Sequence, residues 1–217
     1  MFTLKKIKSA LILVLLVVAV GCAKTNPAEE VYYHLEKAVS LESTFEEQQE
    51  PLSKAEIDEY ELYDQILELS DLDEIKTLAS NAEELANSRI SMIELEKESI
   101  DEAYEEYTKI KAVIETFKDE DLKKLANQLV TVMDSRYETY LELYREYKEA
   151  ITLDLELYQL IQKEDLTIDE LEAQHDKVNI SYERVNQYKE KFNEYTIQYN
   201  ELKREFYDFA ELDVVYN

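Results

Sequence analysis

Glycine, proline, cysteine and tryptophan are nearly missing: one Gly, two Pro, one Cys and no Trp in 217 residues. Residues 52–217 contain neither Gly nor Pro. Tight β-turns lean on both residue types, so most β architectures are excluded. Gly-rich phosphate loops are excluded for the same reason. A single Cys can build neither a Cys-type zinc site nor an internal disulfide. Base is also scarce. The chain sets 24 Lys and Arg against 50 Asp and Glu, a formal charge of −26. Nucleic acid requires a basic footprint, so it is excluded as a partner. The same charge repels anionic headgroups and anionic wall polymers. Carboxylate clusters such as Glu46-Glu47 and Asp119-Glu120-Asp121 lack the spacing of a calcium-binding loop and would hold divalent cations only loosely.

What is present starts with a processing signal. Lys5, Lys6 and Lys8 precede an uncharged, mostly apolar run over residues 9–20. As a helix that run spans about 18 Å, short of a bilayer core of roughly 30 Å. It reads as the core of a signal peptide rather than a permanent span. Ala19-Val20-Gly21-Cys22 follows, with the chain's only Gly and only Cys side by side. This resembles the bacterial lipobox, in which the Cys thiol takes a diacylglycerol and cleavage leaves that Cys as the new amino terminus. Ala19 departs from the Leu commoner there. The expected division is a signal peptide at 1–21, lipidated Cys22 with a short tether to 28, and a helical bundle domain over 29–217. Cleavage removes three Lys and no acid, taking the formal charge from −26 to −29. The expected location is the extracytoplasmic face of the cell membrane, with lipid alone providing attachment.

The remainder is rich in Glu, Leu, Lys, Tyr and Ala, and nearly all of it favours helix. Polar breaks at 70–73, 118–121 and 163–167 divide it into pieces of about 27–70, 72–117, 119–162 and 167–211. Thr167 and Glu170 form a capping box at the start of the last piece. Pro51 should kink or split the first. Apolar residues recur at helical spacing in every piece, most clearly from Leu171 through Tyr182, Val185, Phe192 and Tyr199 to Phe206. Near-equal lengths and short breaks predict an all-α, elongated up-and-down bundle of four long helices. A three-helix, spectrin-like rod is the alternative, with the break at 118–121 continuing as helix. Many stripe positions are Tyr, whose hydroxyls need partners when buried.

Chemistry-bearing constellations are few. Glu172 and His175 form half of the Glu-x-x-His pair of di-iron bundles. The other half is missing, since Val31 stands three residues before His34. His175 falls on the apolar stripe and reads as a packed histidine. No nucleophile set can be placed by motif, and a slender bundle with short loops offers no obvious cleft. The expectation is therefore a non-catalytic protein with no metal site and no cofactor.

One pattern stands out. Asn179, Asn186, Asn193 and Asn200 recur every seven residues, each directly after a stripe residue. That period keeps them on one side of the last helix, near Tyr182, Tyr188 and Tyr195. One reading is a ladder bonding to a neighbouring helix and fixing register. The other is a polar and aromatic strip for sugars or peptide stems, with Tyr faces to stack and Asn amides to donate and accept.

The run Val178-Asn179, Tyr182, Phe192-Asn193, Thr196, Tyr199-Asn200, Lys203 and Phe206-Tyr207 resembles the YkyA-type cell-wall-binding lipoproteins of Gram-positive bacteria. So do Arg136-Tyr137 with Tyr140, Tyr144, Tyr147, Asp154 and Tyr158. Leu35-Glu36, Glu42, Phe45, Gln48-Gln49, Pro51-Leu52 and Leu62-Tyr63 add to the likeness. The resemblance implies a membrane-anchored helical bundle without catalytic residues. Its implied partners are the membrane, through the lipid, and peptidoglycan or another envelope protein. The competing expectation is a spacer or adaptor rod that pairs with an envelope protein or with itself.

Overall fold

The computed structural model describes residues 26–214. The expected signal peptide over 1–21 and the expected lipidation site Cys22 lie outside the described residues. The described residues form six helices in chain order: α1 Pro27–Leu41, α2 Ser43–Glu68, α3 Leu72–Thr108, α4 Ile110–Ile114, α5 Glu120–Ile161 and α6 Ile168–Phe209. No strand occurs among the described residues. α1 and α2 form one arm and α3 and α4 a second, with α5 and α6 as the third and fourth. This is the up-and-down four-helix bundle. The three-helix rod fails because the break before α5 is real, at residues 115–119. Each long helix of 42 residues spans about 63 Å.

Helix starts are fixed by side-chain oxygens that satisfy otherwise orphaned N–H groups. Asn26 Oδ1 accepts from Ala28 N at 3.1 Å, with Pro27 in the first turn. Asp71 accepts from Asp73 N at 2.9 Å and Glu74 N at 3.1 Å. Asp119 accepts from Asp121 N at 2.9 Å and Leu122 N at 3.0 Å. The Thr167–Glu170 capping box is formed. At the end of α6, Leu212 N returns to Tyr207 O at 3.0 Å, and Glu211 takes a positive φ of 52°. Glycine prefers that position.

Pro51 does not split the first arm. α2 runs through it, and the break falls at Glu42 instead. Tertiary contacts set that position. Arg136 donates two hydrogen bonds to the Glu42 carboxylate, at 2.7 and 2.9 Å. Ser99 Oγ donates to Leu41 O at 2.6 Å and accepts from Phe45 N at 3.2 Å. The backbone groups freed by the break are thus partly met by side chains from α3.

Buried side chains form a core at each end and a thin aromatic layer between. Val31 and Leu35 of α1, Tyr107 of α3, Ile114 of α4, Leu129 of α5 and Phe206 of α6 fill the end where the described chain begins and finishes. Ile66, Ala82, Ala86, Ile93, Ile151 and Val185 belong to the core toward the far end. Ile100, Tyr140 and Phe192 make the layer between, with Phe45 against them. Buried Ala79, Ala82 and Ala86 let neighbouring helices approach α3 closely. Several tyrosine hydroxyls reach carboxylates, including Tyr104 to Asp134 at 2.9 Å, Tyr137 to Asp101 at 2.9 Å, and Tyr207 to Glu36 at 2.7 Å. Among the described residues no helix is long and apolar enough to cross a membrane.

A candidate binding groove between α2 and α6

α2 packs on α3 and α6 packs on α5, and α3 and α5 pack on each other. α2 and α6 thereby become facing walls over a shared floor. Between them lies a groove of about 720 Å³. The expectation of a slender body without a cleft is corrected here. Gln49, Glu56 and Tyr63 of α2 line one wall, and His175, Tyr182 and Asn186 of α6 the other. The floor carries Arg89 and Glu96 of α3, with Tyr140 and Tyr147 of α5. Large polar and aromatic side chains line the space between the walls, where a closed bundle would place small apolar ones.

Arg89 organises the floor. It is 2% exposed, yet it carries a guanidinium. Its Nη1 donates to Glu59 Oε2 at 2.7 Å and to Asp154 Oδ2 at 3.2 Å. Its Nη2 donates to Tyr182 Oη at 2.6 Å, and Tyr182 in turn donates to Asp154 Oδ2 at 2.5 Å. Tyr158 donates to Glu59 Oε1 at 2.9 Å. The cation also lies 5.1 Å from the ring centre of Tyr147. Four helices are tied together by this one side chain and its partners. Burial pushes the Glu59 and Asp154 carboxyls above their usual range, and Arg89 pulls the other way without cancelling it.

Glu96 stands apart from that network. It is 6% exposed, and its side-chain partner is Gln49, whose amide donates at 2.6 Å. Burial, and then the neighbouring charge of Glu56, push its carboxyl up to about 7. Glu56 accepts from Tyr147 Oη and lies 3.8 Å from Arg89 Nη2. Tyr140, 2% exposed, lines the same floor with a hydroxyl that has no partner among the described residues. Arg89 Nε is likewise unmatched.

The residues singled out from sequence fall partly on this groove. Asn179, Asn186 and Asn193 line it, are exposed, and make no side-chain hydrogen bond among the described residues. They therefore do not form a ladder to a neighbouring helix. Asn200 is exposed beyond the groove. Tyr182 lines it, with its hydroxyl committed to Arg89 and Asp154. Tyr188 and Tyr195 are half-buried and lie outside it, Tyr188 beneath Lys191 at 5.2 Å. His175 sits half-buried at the wall, paired with Tyr63 Oη. Among the described residues no group of three or more His, Cys, Asp or Glu could hold a metal ion. Sequence reasoning missed Arg89, Glu59 and Glu96 as site residues, and it named Asp154 only as part of the family resemblance. The available signal was charge at stripe spacing: Arg89 falls between Ala86 and Ile93, and Asp154 between Ile151 and Tyr158.

The comparisons with known proteins agree on family and fold. Residues 26–209 match the model of the YkyA family, described as "Putative cell-wall binding lipoprotein". A Bacillus subtilis (strain 168) protein, "Uncharacterized lipoprotein YkyA", is 35% identical over 161 residues, covering 73% of this chain and 72% of that one. A crystal structure of a conserved Staphylococcus aureus protein of unknown function has a TM-score of 0.76. It is 13% identical and covers 82% of this chain and 91% of its own, a likeness of fold alone.

Proposed function

The chain belongs to the YkyA family, and from that premise we propose a non-catalytic, lipid-anchored binding protein at the extracytoplasmic face of the cell membrane. It holds peptidoglycan through the α2–α6 groove. The anchor is Cys22. The observation that carries the reading is a groove of about 720 Å³ with a pre-formed polar floor and three exposed Asn along one lip. Ligand sites are concave, with a small number of fixed polar groups among apolar and aromatic walls. Catalysis is left out because the groove's acids are engaged by Arg89, Gln49 and tyrosine hydroxyls. Position supports the reading too. From Pro27 to Glu56 the first arm rises about 44 Å, which sets the groove well away from an anchored amino terminus. The formal charge, −29 once residues 1–21 are removed, adds repulsion from anionic headgroups.

The test is co-sedimentation of the detergent-solubilised full chain with purified wall sacculi. The chain is expected to pellet, and added salt is expected not to abolish this, because neutral hydrogen bonding and stacking carry most of the contact. Chain left in the supernatant at every ionic strength would reject wall binding. A spacer or adaptor role is favoured by a different observation: Ile57, Tyr60 and Leu67 on α2 and Ile168, Ile180 and Ile197 on α6 are exposed. Light scattering and crosslinking in cells check it. A strictly monomeric protein without a crosslinked partner would remove that role.

A further inference from the structure

The groove's charges do not balance. Glu56, Glu59, Glu96 and Asp154 line it against Arg89 and Lys189. Arg89 is engaged by Glu59 and Asp154 on the floor and also lies 3.8 Å from Glu56, so one guanidinium serves three acids, and Lys189 is exposed on the α6 wall. Among the described residues Glu96 has the Gln49 amide as its side-chain partner, and Glu56 adds a like charge nearby. A buried carboxylate without a cation is costly, and either a proton or a cation brought by a ligand relieves that cost. Tyr140 lies in the electrostatic reach of Glu96, is 2% exposed, and keeps an unpartnered hydroxyl on the same floor. The faces around these groups are aromatic, Tyr140, Tyr144 and Tyr147 among them, and such faces attract cations.

We infer that the α2–α6 groove takes a peptide carrying a primary ammonium on a flexible stem, with the ammonium at Glu96 and Glu56 and the peptide amides along Asn179, Asn186 and Asn193. This rests on the wall-binding reading and deepens it, assigning the groove to the peptide part of peptidoglycan. An ammonium donates three hydrogen bonds. Glu96 and Glu56 would accept as charge-assisted partners, and the Tyr140 hydroxyl could turn its lone pair toward the third. An Asn repeat of seven residues sets the amides about 10.5 Å apart along α6, suited to an extended chain laid lengthwise. Anionic ligands meet net repulsion, and a neutral sugar leaves Glu96 without a cation.

The test is calorimetric titration of the full chain in non-ionic detergent at pH 7.5, alongside the sacculus assay. The probes are end-capped alanyl-lysyl-alanine and the same peptide acetylated on the lysine Nζ. The free amine is expected to bind at least about tenfold more tightly than its acetylated twin. Glu96→Gln should cost the amine peptide about tenfold and leave the twin unchanged, whereas Glu98→Gln, on an exposed face outside the groove, should change neither. Asn186→Lys, at an exposed lip position that leaves the core intact, should weaken the amine peptide about fivefold. Equal binding of both peptides, or amine binding indifferent to both groove variants, overturns the inference. If sacculi pellet the protein while the lysyl peptide does not bind, the ammonium assignment falls and wall binding stands. If the lysyl peptide binds while sacculi do not, wall binding falls and the ammonium site stands.

Discussion

Arg89 places a full positive charge where the stripe pattern of α3 calls for an apolar residue, and two carboxylates follow it inside. Removing one member of such a network leaves the others buried and unmatched, which costs more than the network itself contributes. Arg89→Met, close in volume, is expected to destabilise the fold by about 3–5 kcal/mol at pH 7. The loss should be smaller in a matched measurement at pH 5, because lower pH favours protonation, which burial already favours at Glu59 and Asp154. Urea melts at the two pH values check this, and a loss equal at both would remove the electrostatic explanation. Glu96 makes the opposite case, a buried acid without a cation. Its carboxyl moves from an ordinary 4.5 to about 7 on folding, so the native state binds the proton more tightly. The associated stability is present below about pH 4.5 and is lost as pH rises through 7, up to about 3 kcal/mol. The wild-type chain should therefore lose stability between pH 5 and 8, and Glu96→Gln should flatten that slope. An unchanged slope in the variant would assign the titration to another group.

At the scale of helices, start signals were legible and one interior break was not. Asp71, Asp119 and Thr167 announce α3, α5 and α6 through chemistry confined to two or three neighbouring residues, and such chemistry survives folding unchanged. The break at Glu42 depends on Arg136, 94 residues away, and on Ser99. No local pattern encodes those partners. Pro51 carries the stronger local signal, yet α2 absorbs it, with the proline on an exposed face where water can meet the orphaned carbonyl. The C-terminal cap of α6 tests how far local rules still apply. Glu211 holds a φ of 52° that disfavours a residue with a Cβ, at a cost of about 1 kcal/mol. Glu211→Gly should therefore stabilise the bundle by about 0.5–1 kcal/mol, seen as a rise of roughly 2–3 °C in Tm. A fall in Tm would mean that the unfolded chain gains more from the glycine than the cap does.

Over the whole molecule, the periodicity of apolar residues was enough to read four helices and their order, because helix contacts are short in sequence and each stripe needs a neighbour. The groove itself was not expected from the sequence, but part of one wall was marked by it: the seven-residue Asn repeat lies along α6, and three of its members reach the lip. The floor was not legible, since Arg89, Glu96 and Asp154 come from helices whose pairing no single stripe reveals. Acidity was plain from composition, and it has a mechanical consequence for an all-helical body. The chain carries 50 acids against 24 bases, so most carboxylates face others across a surface with few bases to separate them. The ion pairs that do form are largely at the surface, such as Lys54–Asp58 and Lys148–Glu94, and exposed pairs contribute about 0–1 kcal/mol each. Self-repulsion summed over the surface should outweigh them. Raising sodium chloride from 10 to 150 mM shortens the screening length from about 30 Å to about 8 Å, which weakens repulsion between distant carboxylates far more than it weakens pairs in contact. Tm should therefore rise by several degrees over that range, by the same amount in potassium chloride, and more steeply for the cleaved chain of charge −29 than for the uncleaved one. A Tm that falls with salt would mean that the few ion pairs, rather than the many unpaired acids, govern the stability of the bundle.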